Sequence, residues 1–118
     1  MTRAGLSFAL VVTVGLVAIT AATARPEPPK AVTHEIAIRR FRYDPAELTV
    51  SPGDRVVWKN YDTVSHTATS DAAGPFDSGQ LRQGGVWTWT VPAGAGDRPY
   101  HCTLHPNMKA RLTIRPAP

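Results

Sequence analysis

Residues 100–108, Tyr100-His101-Cys102-Thr103-Leu104-His105-Pro106-Asn107-Met108, contain the only cysteine of the chain, three residues before a histidine and six before a methionine. A thiol, an imidazole and a thioether on one short loop constrain the fold more than any other feature. The flanking chain must hold that loop still for its donors to meet. A soft thiolate, a borderline imidazole and a weak thioether together suit a copper ion that alternates between Cu(I) and Cu(II). A complete set of this kind needs a second imidazole, and His66 in Val64-Ser65-His66-Thr67-Ala68-Thr69 is the candidate.

The beginning of the chain reads differently. Arg3 precedes an apolar run from Leu6 to Ile19, and Ala22-Thr23-Ala24 supplies the small-x-small pattern of a signal-peptidase site. Residues 1–24 are therefore expected to be a cleaved signal peptide, too short in their apolar run for a membrane span. No membrane span is expected after cleavage. The product is periplasmic or secreted. Arg25-Pro26-Glu27-Pro28-Pro29-Lys30 opens a proline-rich, flexible lead-in over residues 25–31, and residues 32–118 make one domain.

Export makes the single cysteine informative, because it can form no internal disulfide and a bare thiol oxidises. Metal ligation protects the sulfur and holds it as thiolate. A formal charge of +4 falls by one when Arg3 leaves, which gives only mild steering toward acidic partners. Arg39, Arg40 and Arg42 are the one basic cluster, and outward-facing charges on a strand explain them better than nucleic-acid binding does.

From Val32 onward the apolar pattern has period two. His34–Arg40, Glu47–Val50, Arg55–Asn60, Val86–Val91 and Arg111–Ile114 read as strands, and Tyr100-His101-Cys102 ends another. Trp87, Trp89 and Val91 are expected to face the core, and Trp58 to pack there too. Ser51-Pro52-Gly53-Asp54 is a turn, and residues 70–83 read as loop. No helical period appears. Short strands punctuated by glycine and proline predict an all-β, Greek-key sandwich.

Phe41-Arg42-Tyr43-Asp44-Pro45, Leu48-Thr49-Val50, Gly53 to Asn60, His66-Thr67 and Tyr100 to Met108 together resemble the cupredoxins, the type 1 blue copper proteins, in their plastocyanin/amicyanin branch. The Cys-x2-His-x2-Met loop, with proline after the histidine, is similar to the shortest loops of that branch. The resemblance implies a cupredoxin-like sandwich and one type 1 copper per chain. His66, Cys102 and His105 would lie in a trigonal plane, with Met108 as a long axial ligand. It also implies redox partner proteins docking near His105 and Pro106, with Ala72 to Phe76 bordering the same edge, and a monomeric carrier. Many relatives carry Asn after the first histidine; here Thr67 stands there, and its hydroxyl is expected to do part of the same bracing.

The function this implies is a small, non-enzymatic protein that shuttles single electrons between partners. The alternative is a copper-delivery protein using the same ligands. A catalytic subunit would need a second copper. His101 and His34 are the only other histidines, so they cannot form a three-histidine centre. Both read as surface or internally satisfied side chains. Zinc is disfavoured by the methionine, and haem by the absence of Cys-x-x-Cys-His.

Overall fold

A computed structural model describes residues 1–27 and 30–117. Eight strands form: β1 (Thr33–Arg39), β2 (Arg42–Asp44), β3 (Glu47–Val50), β4 (Arg55–Asn60), β5 (Thr69–Ser70), β6 (Val86–Thr90), β7 (Gly96–His101) and β8 (Lys109–Ile114). They make two four-stranded sheets, ordered β2-β1-β4-β6 and β3-β8-β7-β5. The chain leaves the first sheet after β2, returns at β4, and crosses again around β5 and β6. β1 therefore pairs in parallel with β4, and β3 with β8, while hairpin-type neighbours are antiparallel. This is the all-β sandwich that the period-two pattern predicts.

The alternation has a physical outcome in each strand. Ile36 and Ile38 of β1, Val56 and Trp58 of β4, and Leu112 and Ile114 of β8 point between the sheets and are fully buried. Glu35, Arg39, Arg55 and Arg111 stay exposed. Trp87 and Trp89 are half-buried against the core, and Val91 is buried beside them. Burying each large apolar side chain contributes about 1.5–3 kcal/mol. The core therefore carries most of the stability of so small a domain. Cys102 and Met108 belong to this same cluster, so the short loop is anchored in the hydrophobic interior.

Three departures from the sequence reading matter. The first strand stops at Arg39, because Arg40 (φ 53°) and Phe41 (φ 57°) are both left-handed and reverse the chain into β2. Paired left-handed residues form the two-residue turn whose twist suits a hairpin, a geometry usually left to Asn and Gly. Secondly, β2 and β5 were not expected, being three and two residues long. Thirdly, Phe76 does not border His105; it is buried, its ring tilted against Trp89 at 4.7 Å and 5.5 Å from Trp58.

Residues 1–27 form no helix or strand, and their side chains are exposed. Among the described residues no helix is long and apolar enough to cross a membrane. The lead-in expected over residues 25–31 includes Pro28 and Pro29, and the domain expected over 32–118 ends at Pro118; these three lie outside the described residues.

Candidate metal centre

The site is built at one end of the sandwich, where β4 and β7 finish. After β4 the chain enters residues 61–68, held by Asn60. Its buried amide donates to the carbonyls of Val64 (2.9 Å) and Leu81 (2.7 Å), and its oxygen accepts from the Asp62 N–H (3.0 Å). His66 and Leu81 then exchange backbone hydrogen bonds of 3.1 and 2.7 Å. The backbone of His66 is thus fixed before any metal is considered.

The second part is the loop between β7 and β8. The Cys102 N–H donates to the Met108 carbonyl at 3.0 Å, and the Met108 N–H to the His105 carbonyl at 2.8 Å. These bonds fold residues 102–108 into a closed turn. His101 ends β7 with its ring turned to Asp71, while Cys102 points inward and is fully buried. That division follows from alternation along a strand.

The structure brings together three of the four expected site residues. The donor atoms of His66, Cys102 and His105 all lie within 4.8 Å of one another. His66 Nδ1 is 3.2 Å from His105 Nδ1, and Cys102 Sγ is 3.9 Å from the first and 3.6 Å from the second. Imidazole and thiolate bonds of roughly 2.05 and 2.3 Å at 120° would put nitrogens roughly 3.5 Å apart and each nitrogen roughly 3.8 Å from sulfur. The observed triangle fits one ion. Met108 is buried beside Cys102 in the core, with its backbone closing the loop. The chemistry of the set, two imidazoles and a thiolate with a thioether nearby, favours copper over zinc.

Two residues that the sequence reading passed over complete the site. Asp62 accepts a hydrogen bond from His66 Nε2 at 2.7 Å, which fixes the tautomer and leaves the Nδ1 lone pair facing Cys102 and His105. The same carboxylate accepts the N–H groups of Arg40 (2.7 Å) and Phe41 (3.0 Å). Burial is the largest influence on Asp62 and would raise its pKa. The amides of Phe41 and Arg40, with the His66 bond and charge, outweigh it and leave the pKa below the usual range. A carboxylate four residues before a candidate metal histidine was the available signal.

Phe41 is the other. Its ring meets His66 and His105 edge-on, at centroid distances of 5.0 and 4.8 Å, and half of it remains exposed. Nothing in its local sequence placed it there, because the contact depends on the left-handed turn.

Thr67 does what was expected of it and more. Its N–H donates to Cys102 Sγ at 3.3 Å, and its hydroxyl accepts the Thr103 N–H at 2.9 Å and meets Thr69 Oγ1 at 2.9 Å. Its carbonyl accepts the Tyr43 hydroxyl. Burial, with Cys102 and Tyr100 nearby, drives the Tyr43 pKa far up, so the phenol remains a donor. Tyr43 and Thr67 thereby tie the β2 end, the His66 loop and the Cys102 loop into one unit.

No protein-family model matches the chain. It is 30% identical over 86 residues to the amicyanin of Paracoccus denitrificans, a match spanning 67% of this chain and 63% of that protein. The chain thus spans a little under two thirds of that relative's length. A solved Cu(I) form of an amicyanin variant superposes with a TM-score of 0.64 at 27% identity, over 72% of this chain and 82% of the other. A copper-containing nitrite reductase from Thermus scotoductus SA-01 gives a TM-score of 0.65 at 24% identity, over 84% of this chain but 25% of that one. The latter likeness concerns the fold alone.

Proposed function

From a chain with the amicyanin-like cupredoxin fold, which this one has, we propose a single-electron carrier that binds one copper ion through His66, Cys102, His105 and Met108. The observation that carries the reading is the donor triangle, two imidazole nitrogens and a sulfur facing one another across 3.2 to 3.9 Å. When bound, copper supplies a one-electron couple at nearly fixed geometry. The chain supplies the rest. Asp62 orients His66, the Thr67 amide donates to the thiolate, and the 102–108 turn sets His105 and Met108. Donors held by both loops before the ion arrives leave little to rearrange when its charge changes.

His66 is fully buried, whereas His105 is half-buried beside exposed Pro106. His105 is therefore the ring through which a docked redox partner exchanges the electron, and such transient contacts are small. No bond to a substrate is made or broken in this reading, and the protein acts as a carrier, not an enzyme. We assign residues 1–24 to a signal peptide removed on export to the periplasm; the apolar run from Leu6 to Ile19 and the small-x-small pattern Ala22-Thr23-Ala24 support this.

The test is an absorption and EPR spectrum of the copper-loaded protein, followed by voltammetry. The expected result is an intense visible thiolate-to-copper band, small parallel hyperfine splitting and a reversible couple. A colourless, axial spectrum would overturn the reading. Copper transfer to a metal-free acceptor faster than electron exchange would make the protein a copper carrier instead.

A further inference from the structure

Cationic side chains gather on three neighbouring strands at the end of the sheet beside Phe41. Arg42 of β2 stands directly opposite Arg39 of β1, and Lys59 of β4 lies one row back on the same sheet, opposite Ala37, whose other partner is Asp44. Arg39 and Lys59 both lie over the ring of exposed Tyr61, at 5.1 and 5.0 Å. Arg40 occupies the turn between Arg39 and Phe41. Around the corner, Arg42 and Lys109 share a cleft of about 210 Å³ with Phe41 and Met108. Of the carboxylates nearby, Asp62 binds amides and His66, Glu35 accepts the Tyr61 hydroxyl, Asp71 beside Lys109 meets His101, and Asp44 lines one cleft with Arg39, Arg40 and Arg42; none forms an ion pair with these cationic side chains. Among the described residues, Arg111 alone of the lysines and arginines is ion-paired.

Tyr61 offsets the charge of Arg39 and Lys59, but among the described residues no ion pair offsets Arg42 opposite Arg39. Like charges directly opposite one another on an antiparallel pair are destabilising. Beside them, Phe41 presents an apolar ring whose other edge touches both candidate ligand histidines. An anionic surface would relieve the repulsion and bring its redox group against that ring.

We propose that Arg39, Arg42, Lys59 and Lys109 form the rim of a docking surface centred on Phe41, and that its occupant is the acidic face of an electron-transfer protein. The proposal rests on the electron-carrier reading and names the partner's chemistry. A protein fits better than a membrane or nucleic acid, because the cations surround the aromatic edge of a redox site instead of a long track. Charges on such a rim act chiefly on the rate of encounter and fade with salt.

Two experiments test it with different dependence on copper. First, the metal-free protein is titrated with hexacyanocobaltate(III), a redox-inert trianion, and amide shifts are followed by NMR. Shifts concentrated at residues 39–42, 59 and 109 are expected; shifts centred elsewhere overturn the proposal. Secondly, one electron passes from the reduced, copper-loaded protein to hexacyanoferrate(III), giving hexacyanoferrate(II), and the second-order rate is read at low salt. The Arg39→Glu/Arg42→Glu variant should slow about tenfold at roughly 10 mM ionic strength. A control with the same change in net charge at the far end, Arg55→Glu/Arg115→Glu, should slow no more than about twofold, since only charge close to the encounter surface steers strongly. Arg39→Gln/Arg42→Gln gives the intermediate rate and stands in if the reversed pair fails to fold. Equal slowing of near and far variants overturns the proposal. Co-sedimentation with phosphatidylglycerol vesicles that depends on Arg39 and Arg42, with unchanged redox rates, overturns the protein partner in favour of a membrane surface. Loss of the visible band in the unmodified protein would sink the carrier reading, while the NMR titration would still decide the patch.

Discussion

Asp62 joins two structures that are remote in sequence. One oxygen accepts the Arg40 N–H, and the other accepts the N–H of Phe41 and faces Nε2 of His66. The carboxylate therefore holds the left-handed turn that carries Phe41 and the ring that faces Cys102. Replacing it by alanine leaves a buried imidazole nitrogen and two amides without their acceptor. Asp62→Ala should lower copper affinity about 10–100-fold, the range seen when partners behind ligating histidines are removed, as measured by chelator competition. The metal-free domain should lose about 2 kcal/mol in denaturant unfolding. Unchanged affinity would mean that packing alone sets the ring. Arg40 gives the opposite sign. Its side chain is exposed, yet its φ of 53° is disfavoured for any residue with a Cβ. Arg40→Gly should stabilise the domain by about 1 kcal/mol, read as a rise in the denaturant midpoint.

At the scale of the element, the far end of the sandwich is tied by Asp54. Its carboxylate accepts the N–H groups of Val32 and Ser51, each at 3.0 Å, and meets His34 Nε2 at 2.9 Å. These bonds pin the start of β1 to the turn before β4. Burial is the largest effect on Asp54 and acts to raise its pKa. The Val32 amide, the His34 side chain, the Ser51 amide and the His34 charge together win, so the folded pKa is depressed. A depressed folded pKa contributes stability that is fully present above the unfolded value, about 3.9. That stability is lost as pH falls through the folded pKa. Asp54→Asn should destabilise the domain by about 2 kcal/mol near neutral pH and flatten the pH dependence of unfolding below about pH 4. A variant with the wild-type acid profile would assign that loss to other carboxylates.

Elements also show what could be read in the sequence. β1, β3, β4, β6 and β8 are long enough for alternation to mark the inward face, and Ile36, Trp58 and Leu112 fall where that pattern puts them. β2 and β5 carry too few residues to show any period. The spacing of Cys102, His105 and Met108 is local and legible. The approach of Asp62 and Phe41 is not, because it is created by a turn whose two left-handed residues are Arg and Phe, with neither Asn nor Gly to announce it. Phe76 misled for a related reason: it lies in a segment with little regular pattern, yet tertiary packing buries it among four aromatic neighbours, Trp58, Trp87, Trp89 and Tyr100.

For the whole molecule, the candidate ligands join loops that leave different sheets: His66 follows β4 of the first, and Cys102 to Met108 join β7 to β8 of the second. An ion held by all four would cross-link the sandwich at one end. The unfolded chain keeps only the close set on residues 102–108, so the ion favours the folded state. Copper at about a thousand times its dissociation constant should add about 4 kcal/mol. For a domain of this size that is a rise of about 15–30 °C in Tm, using about 4–8 °C per kcal/mol. Cys102→Ser should remove nearly all of this rise and the visible colour. Its metal-free Tm should move little, because the sandwich is held by Ile36, Ile38, Trp58, Tyr100 and Leu112 without the sulfur. Calorimetry with and without copper separates the two contributions. If Cys102→Ser retains the copper-dependent rise, the two imidazoles hold the ion without the thiolate, and Cys102 is only a core side chain beside them.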